Sequence, residues 1–280
     1  MTVAFGLRLQ GLPPSPWLAG AHGRHWPTLR VVQRTGEASL PPEYVSSRSA
    51  QVHLRGDYRG YGLEVELDPG SATIIGPERV NDDQLVHPYV TLVAIVAGRL
   101  LGREALHAGA FERDGGAWAL LGPPGAGKST TLAALATAGT TVLADDLVLL
   151  DDGDRVLSGP RCLDLRDCAG EGARVRVRGA SRWRMTLAPA APVVPLHGLI
   201  YLTWGAPLRL SRVPVSERFG RVDAYRRWGD AIQMSAERAF ALATVPTFEL
   251  ARPRGGASLQ SAVALLVESP LLAPAATGAL

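Results

Sequence analysis

With 46% hydrophobic and 20% charged residues, this chain of 280 carries enough apolar material for a substantial core. That excludes an intrinsically disordered protein and leaves one or two globular domains. The net charge of +3 is too mild to mark a nucleic-acid binder, and the pI of 9.1 reflects an arginine-heavy composition in which Lys128 is the only lysine. The longest apolar helical stretch, Tyr89 to Leu101, is too short to span a bilayer and is interrupted by Arg99. The N-terminus lacks a signal-peptide pattern, so a cytoplasmic protein with no membrane partner is expected. Cys162 and Cys168 are too few for a structural zinc site and are read as two reduced thiols.

Residues 1–85 read as a strand-rich region. Pro13, Pro14, Pro16, Pro27, Pro41 and Pro42 break any helix, and the runs Ser49 to Leu54, Tyr61 to Leu67 and Ala72 to Ile75 are short strands of an antiparallel sheet. Tyr89 to Leu101 exceeds the length of a normal strand and is predicted as a buried helix. Leu106 to Phe111 is then a strand, Asp114-Gly115-Gly116 a hairpin turn, and Trp118 to Leu121 a second strand antiparallel to the first. A helix from Lys128 to Thr137 closes at Gly139, and Thr141 to Ala144 is a strand ending at Asp145 and Asp146. Beyond Pro160, strands at Ala173 to Val177, Gly198 to Thr203, Pro207 to Ser211 and Pro246 to Leu250 alternate with helices near Ala224 to Leu242 and Ser258 to Val267. The catalytic domain is placed at 86–270 and a flexible tail at 271–280, with fraying expected from Ser269.

Between the strand ending at Leu121 and the following helix lies Gly122-Pro-Pro-Gly-Ala-Gly-Lys-Ser129, which matches G-x-x-x-x-G-K-[ST]. Strand, loop and helix is the order a phosphate-binding loop requires. The candidate nucleotide contacts are Gly122, Pro123, Pro124, Gly125, Ala126, Gly127, Lys128, Ser129 and Thr130. The glycines let backbone N–H groups turn toward phosphate oxygens, and the helix N-terminus adds its positive dipole end. Lysine suits the remaining position because a compact charge on a flexible stem reaches two neighbouring phosphates, where the wide guanidinium fork does not. ATP and Mg²⁺ are therefore the expected cofactors, with the Ser129 hydroxyl ligating the cation.

Asp145 and Asp146 follow Lys128 by seventeen residues at the end of an apolar strand. Phosphoryl transfer needs one carboxylate near Mg²⁺ and one within reach of the attacking hydroxyl, and neighbouring strand residues face opposite ways. The alternative is a solvated turn, as at Asp151, Asp152 and Asp154. His107, taken alone, reads more as a satisfied structural histidine than as a functional one.

The run Leu106-His-Ala, Gly122 to Ser129 and Val142-Leu-Ala-Asp-Asp146 resembles the kinase domain of HPr kinase/phosphorylase, over about residues 105–150. That resemblance implies an α/β fold, with a P-loop kinase domain of the HPr kinase and phosphoenolpyruvate carboxykinase type after the strand-rich region. It implies a serine hydroxyl as acceptor. His107 would then lie near the transferred phosphate, Asp145 would act as base and Asp146 would assist the metal. The loop continues Ser129-Thr130 where the classical enzymes have Ser-Glu, and Gly198 to Leu202 only faintly echoes their HPr-gripping signature. The pattern is closer to divergent relatives that accompany ribosomal peptide biosynthesis, lasso peptides included, some of which phosphorylate a precursor peptide. The expected partner is a peptide or small protein carrying a serine. The family also implies a homo-oligomer, although its N-terminal domain is not recognisable here.

Two other readings stand beside this one. A small-metabolite kinase of the shikimate or gluconate type also places carboxylates after its loop helix, but such proteins begin near the loop, and about 120 residues precede it here. A nucleotide-gated peptide-binding module would not need the intact lysine, serine and aspartates. Arg174, Arg176 and Arg178 share one strand face, and Arg182 and Arg184 follow. They either hold an acidic peptide or a phosphate, one of them stabilising the transferring phosphoryl group as an in-cis arginine finger, or form a solvated outer face. Arg226-Arg227-Trp228 reads as helix surface with one packed aromatic.

Overall fold

The structure is a computed structural model that describes residues 1–20, 24–36, 44–46, 48–53, 60–167, 169–177, 179–225 and 236–273. Leu54, Pro41, Pro42, Cys168, Arg178, Arg226, Arg227, Trp228 and residues 274–280 lie outside this set. The chain opens with eight strands: β1 (Thr2–Ala4), β2 (Leu7–Gln10), β3 (Ala19–Gly20), β4 (Thr28–Thr35), β5 (Tyr44–Val45), β6 (Ser49–His53), β7 (Gly62–Glu66) and β8 (Ser71–Gly76). They form one sheet in the order β3-β1-β2-β4-β8-β7-β6-β5. The expectation of an antiparallel sheet fails at its centre, where β4 runs parallel to both β2 and β8. The segment after β4 carries the chain away and back through three more strands, so the return to β4's far side comes in the same direction.

A short α1 (Asp82–Gln84) begins at Asn81, whose side chain accepts from the Gln84 N–H, and a wide turn at Leu85–Tyr89 leads into α2 (Val90–Leu100). The predicted helix is present, and it is buried on every face because it packs against both the first sheet and the strands at Glu104–Leu106 and Val148–Leu150. Leu92, Val93, Ile95 and Val96 share a core with Leu7, Leu29, Leu63 and Val65. Apolar packing therefore runs straight across residue 85.

The second sheet is built from β9 (Glu104–Leu106), β10 (Gly109–Arg113), β11 (Gly116–Leu121), β12 (Val142–Ala144), β13 (Val148–Leu150) and β14 (Arg155–Leu157). A separate three-stranded sheet consists of β15 (Cys162–Leu165), β16 (Gly172–Val177) and β17 (Ala180–Thr186). The long β18 (Val193–Trp204), β19 (Arg209–Arg212) and β20 (Thr247–Arg252) complete the second sheet. Helix α3 (Lys128–Thr137) follows β11, α4 (Val215–Asp223) and α5 (Ala236–Thr244) precede β20, and α6 (Gly256–Glu268) follows it. Of the helix expected near Ala224 to Leu242, α5 covers the end, residues 226–235 lie outside the described set, and α4 precedes the range. Strands β13, β14, β15 and β17 were not among the expected elements; each is fixed by its sheet pairing.

The predicted hairpin at Asp114-Gly115 is present, with φ of 52° and 74° giving the double left-handed turn that joins β10 to β11. Both faces of β11 are covered. Trp118 and Leu120 point to the α3, α6 and β20 side, whereas Ala117, Ala119 and Leu121 point to the side of α5. The predicted strand Leu106 to Phe111 is instead two strands. Leu106 pairs with Val148 of β13 while Gly109 pairs with Leu120 of β11, so His107 and Ala108 form the crossing between two wings of the sheet.

Strand direction positions everything that follows. β11, β18 and β20 are parallel, and β12 shares their direction because both it and β11 are antiparallel to β10. The carboxyl ends of four strands therefore meet at one edge.

Asp151 is buried and accepts from the N–H groups of Gly153 and Arg155, so it closes a tight turn. This corrects its reading as a solvated residue. Arg174 and Arg176 are exposed, which favours the outer-face alternative. Arg184 is fully buried: it donates to both Asp164 carboxylate oxygens and to the carbonyls of Asp83 and His87, with Trp17 stacked 5.0 Å away. It joins the three-stranded sheet to the first sheet and its helices, and it is not available to a ligand. Cys162 is a free, buried thiol pushed up by that burial. Leu272, expected in the flexible tail, is fully buried in a 3-10 turn at Pro270–Leu272. No helix among the described residues is long and apolar enough to cross a membrane. Replacing Arg184 with Ala leaves Asp164 buried without its cation and should cost about 3–5 kcal/mol in urea unfolding. A loss under about 1 kcal/mol would show that the bridge does not hold these layers together.

Candidate active site

The loop after β11 turns at the sheet edge and starts α3. Gly127, the cap of α3, has φ of 89°, and an added Cβ there would lie 2.4 Å from an Arg252 Nη, so only glycine fits. Thr131 Oγ donates back to the Gly127 carbonyl at 2.8 Å, and the Ala126 N–H donates to the Pro123 carbonyl at 3.0 Å. The loop tip, Pro123 to Gly125, is exposed while Ala126 is buried. Thr130 faces the adjoining cavity.

Lys128 is 9% exposed and folds back so that Nζ donates to the Gly122 carbonyl at 2.7 Å. The same Nζ lies 3.4 Å from His107 Nε2. An ammonium has no acceptor capacity, so Nε2 accepts and the ring proton belongs on Nδ1. There it meets the Asp146 carbonyl at 3.2 Å and Oδ1 at 3.3 Å. The His107 backbone N–H is tied to the Tyr225 carbonyl at 2.8 Å, which fixes the crossing between the sheet wings.

The two aspartates are not the alternating strand pair that the sequence suggested. Both lie just past β12, and Asp146 has a left-handed φ of 64°. Asp145 is turned inward at 8% exposure and accepts from Ser129 Oγ at 3.1 Å. Asp146 is half-buried and turned to His107. The partner of Ser129 is thus Asp145, where the sequence reading had joined Ser129 with Asp146.

Burial raises the Asp145 carboxyl to about 6, and repulsion from Asp146 adds to it; attraction from His87 and the Ser129 hydrogen bond oppose it. Behind it, His87 Nδ1 meets Asp164 Oδ2 at 2.9 Å, and among the described residues buried His87 Nε2 has no hydrogen-bond partner. Burial would raise Asp164, but the hydrogen bonds from Arg184 and His87 outweigh it and hold the carboxyl at about 2. Asp164 reaches the same cavity as the loop.

That cavity, of about 1090 Å³, runs from His107 and the loop along α3 toward α6. Its polar end holds Lys128, Ser129, Asp145 and Asp146, and its apolar length is lined by Ala133, Leu259 and Val263 among others. No cluster of three or more His, Cys, Asp or Glu among the described residues could cage a cation by itself. Ser129 and Asp145 instead form a two-oxygen set of the kind that holds Mg²⁺ jointly with phosphate oxygens and water.

Two residues at this edge were missed in the sequence. Trp204, at the end of β18, donates from Nε1 to the Gly125 carbonyl at 3.2 Å, and Arg252, at the end of β20, stacks on its ring at 4.3 Å. Trp204 directly follows a predicted strand and Arg252 lies two residues past the end of another, but only the order of pairing reveals that those strands end beside the loop.

No protein-family model matches this chain. No curated protein matches it either. Among solved structures it is similar to the HPr(Ser) kinase/phosphatase from Coxiella burnetii, with 11% sequence identity and a TM-score of 0.30, covering 58% of this chain and 94% of that one. So loose an overlap transfers no residue role.

A buried carboxyl raised to about 6 makes fold stability depend on pH. The unfolded chain releases this proton near pH 4 and the folded chain holds it to about 6, so the contribution is complete below pH 4 and lost as pH rises through 6. Above that, ionised Asp145 is a cost on the order of 2–3 kcal/mol. In metal-free buffer, Asp145→Asn should melt higher than the wild type at pH 8 and level with it at pH 4. Equal melting at both pH values would contradict the buried charge.

Proposed function

We propose that this chain is an ATP- and Mg²⁺-dependent phosphotransferase acting on a hydroxyl, the serine of a peptide or small protein. One observation carries the reading: a lysine-bearing glycine loop, a serine–carboxylate pair and a histidine–carboxylate pair converge at one sheet edge. Ligands of α/β sheets bind at the carboxyl ends of strands, which is where these groups stand.

When bound, the nucleotide supplies the transferable phosphoryl group and Mg²⁺ offsets its charge. The N–H groups of Gly125 and of Gly127 to Ser129, with the N-terminus of α3, form the phosphate cradle. Lys128 gives up its contact with the Gly122 carbonyl to reach phosphate oxygens. Ser129 and Asp145 hold the cation. Asp146, oriented by His107, accepts the proton of the attacking hydroxyl. This exchanges the roles implied by the resemblance, because geometry puts Asp145 beside Ser129. The cavity is at the upper end of small-molecule sites, which leaves room for a polypeptide segment beside a nucleotide. The resemblance to kinases of ribosomal peptide biosynthesis favours a precursor peptide as that segment, and within the same reading the protein is cytoplasmic.

Intact-mass analysis of serine-containing candidate peptides, incubated with the protein, ATP and Mg²⁺, should show the gain of one phosphate group. Asp146→Asn should slow the gain by roughly 10²–10⁴-fold while ATP affinity stays within about threefold, because only the base is lost. Lys128→Ala should lose nucleotide affinity as well. Transfer by Asp146→Asn at the wild-type rate would overturn the base assignment. ATP binding with no gain on any hydroxyl acceptor would overturn the transferase reading.

A further inference from the structure

Arg252 stands at the carboxyl end of β20, 3% exposed. Its guanidinium lies over the Trp204 indole at 4.3 Å, and Arg254 approaches the same ring at 4.9 Å. Trp204 is itself fastened to the loop through Gly125. On its other side Arg252 touches the loop directly, with an Nη so close to Gly127 that a Cβ there would collide. The side chain is thus clamped between the indole and the phosphate-loop backbone.

What it lacks is a counter-charge. Among the described residues no carboxylate pairs with Arg252, and its buried Nε has no hydrogen-bond partner. Burial is the only resolved influence on its pKa and lowers it. The other buried arginines differ: Arg184 has Asp164, and Arg99 has Glu104 at 2.7 Å, while buried Lys128 donates to the Gly122 carbonyl. A buried guanidinium without an anion is costly, and the cost is unexplained by packing alone, since a methionine would fill the same space over an indole. An anion arriving at Gly127 removes the cost, and the group that reaches a loop of this kind is phosphate.

We propose that Arg252 is an in-cis phosphate-binding residue, contacting a phosphate oxygen of the bound nucleotide from the Trp204 side of the loop, across from Lys128 and His107. This rests on the phosphotransferase reading above and assigns the arginine that the sequence had sought among Arg174 to Arg184. Trp204 acts as the positioning residue, presenting the guanidinium in a fixed plane.

The test uses inorganic tripolyphosphate and ATP, each with Mg²⁺, titrated calorimetrically into the full chain and into Arg252→Met and Arg252→Lys. Arg252→Met keeps the stack on Trp204 and removes the charge. It should weaken both ligands by roughly 10–100-fold, the loss of one charge-assisted hydrogen bond, while the ligand-free protein melts no lower than the wild type. Arg252→Lys, which keeps a charge, should lose less. Tripolyphosphate binding by Arg252→Met within twofold of the wild type would overturn the proposal, as would equal losses in both variants accompanied by a lower melting temperature, since Arg252 would then be a packing residue. A wild-type chain that binds neither ligand would instead refute the nucleotide reading, and this proposal with it.

Discussion

The shared direction of β11, β12, β18 and β20 is the constraint on which the site depends. Antiparallel β10 lies between β11 and β12, and β18 and β20 follow on the other flank in parallel, so four chain reversals are forced to one edge. The loop, the aspartate pair, Trp204 and Arg252 are the four exits. Backbone carbonyls and N–H groups leaving a sheet at its edge have no ladder partners, and α3 begins at this edge. The chemistry is local in space because strand polarity is uniform, although its residues span Gly122 to Arg252 in the sequence.

Around that edge the charges are arranged in opposed layers. Lys128 and Arg252 flank the loop as cations, one parked on a carbonyl and a histidine, the other stacked on an indole without an anion. Facing them are Asp145 and Asp146, adjacent carboxylates whose repulsion adds to burial in raising Asp145. Under the function proposed above, a magnesium-bound polyphosphate would place its cation at the carboxylates and its oxygens at the lysine and arginine. The Arg184–Asp164–His87 cluster behind the carboxylates is complete by contrast, apart from His87 Nε2, and serves to lock the layers together.

Much of this was legible in the sequence, and the reasons are specific. The glycine loop, its entering strand and its leaving helix were readable because their order and residue types are dictated by local backbone chemistry. The Asp114-Gly115 hairpin was readable for the same reason, and α2 from its length. The mixed first sheet was not, since parallel pairing of β4 with β2 and β8 is set by long-range return of the chain. Splitting Leu106 to Phe111 into two strands was hidden because an unbroken apolar run does not show a change of pairing partner. The division between Asp145 and Asp146 depends on one left-handed residue at Asp146, a conformation the sequence only permits. Arg252 was lost among twenty-eight arginines until strand order placed it beside Gly127.

Hydrogen–deuterium exchange of the full chain, with and without ATP and Mg²⁺, tests the central claim most directly. The account predicts new protection in the loop and first turn of α3, at Asp145 to Leu147, and at Trp204 and Arg252, four separated segments that meet only at this edge. Protection confined elsewhere, or none at these segments at saturating nucleotide, would contradict it.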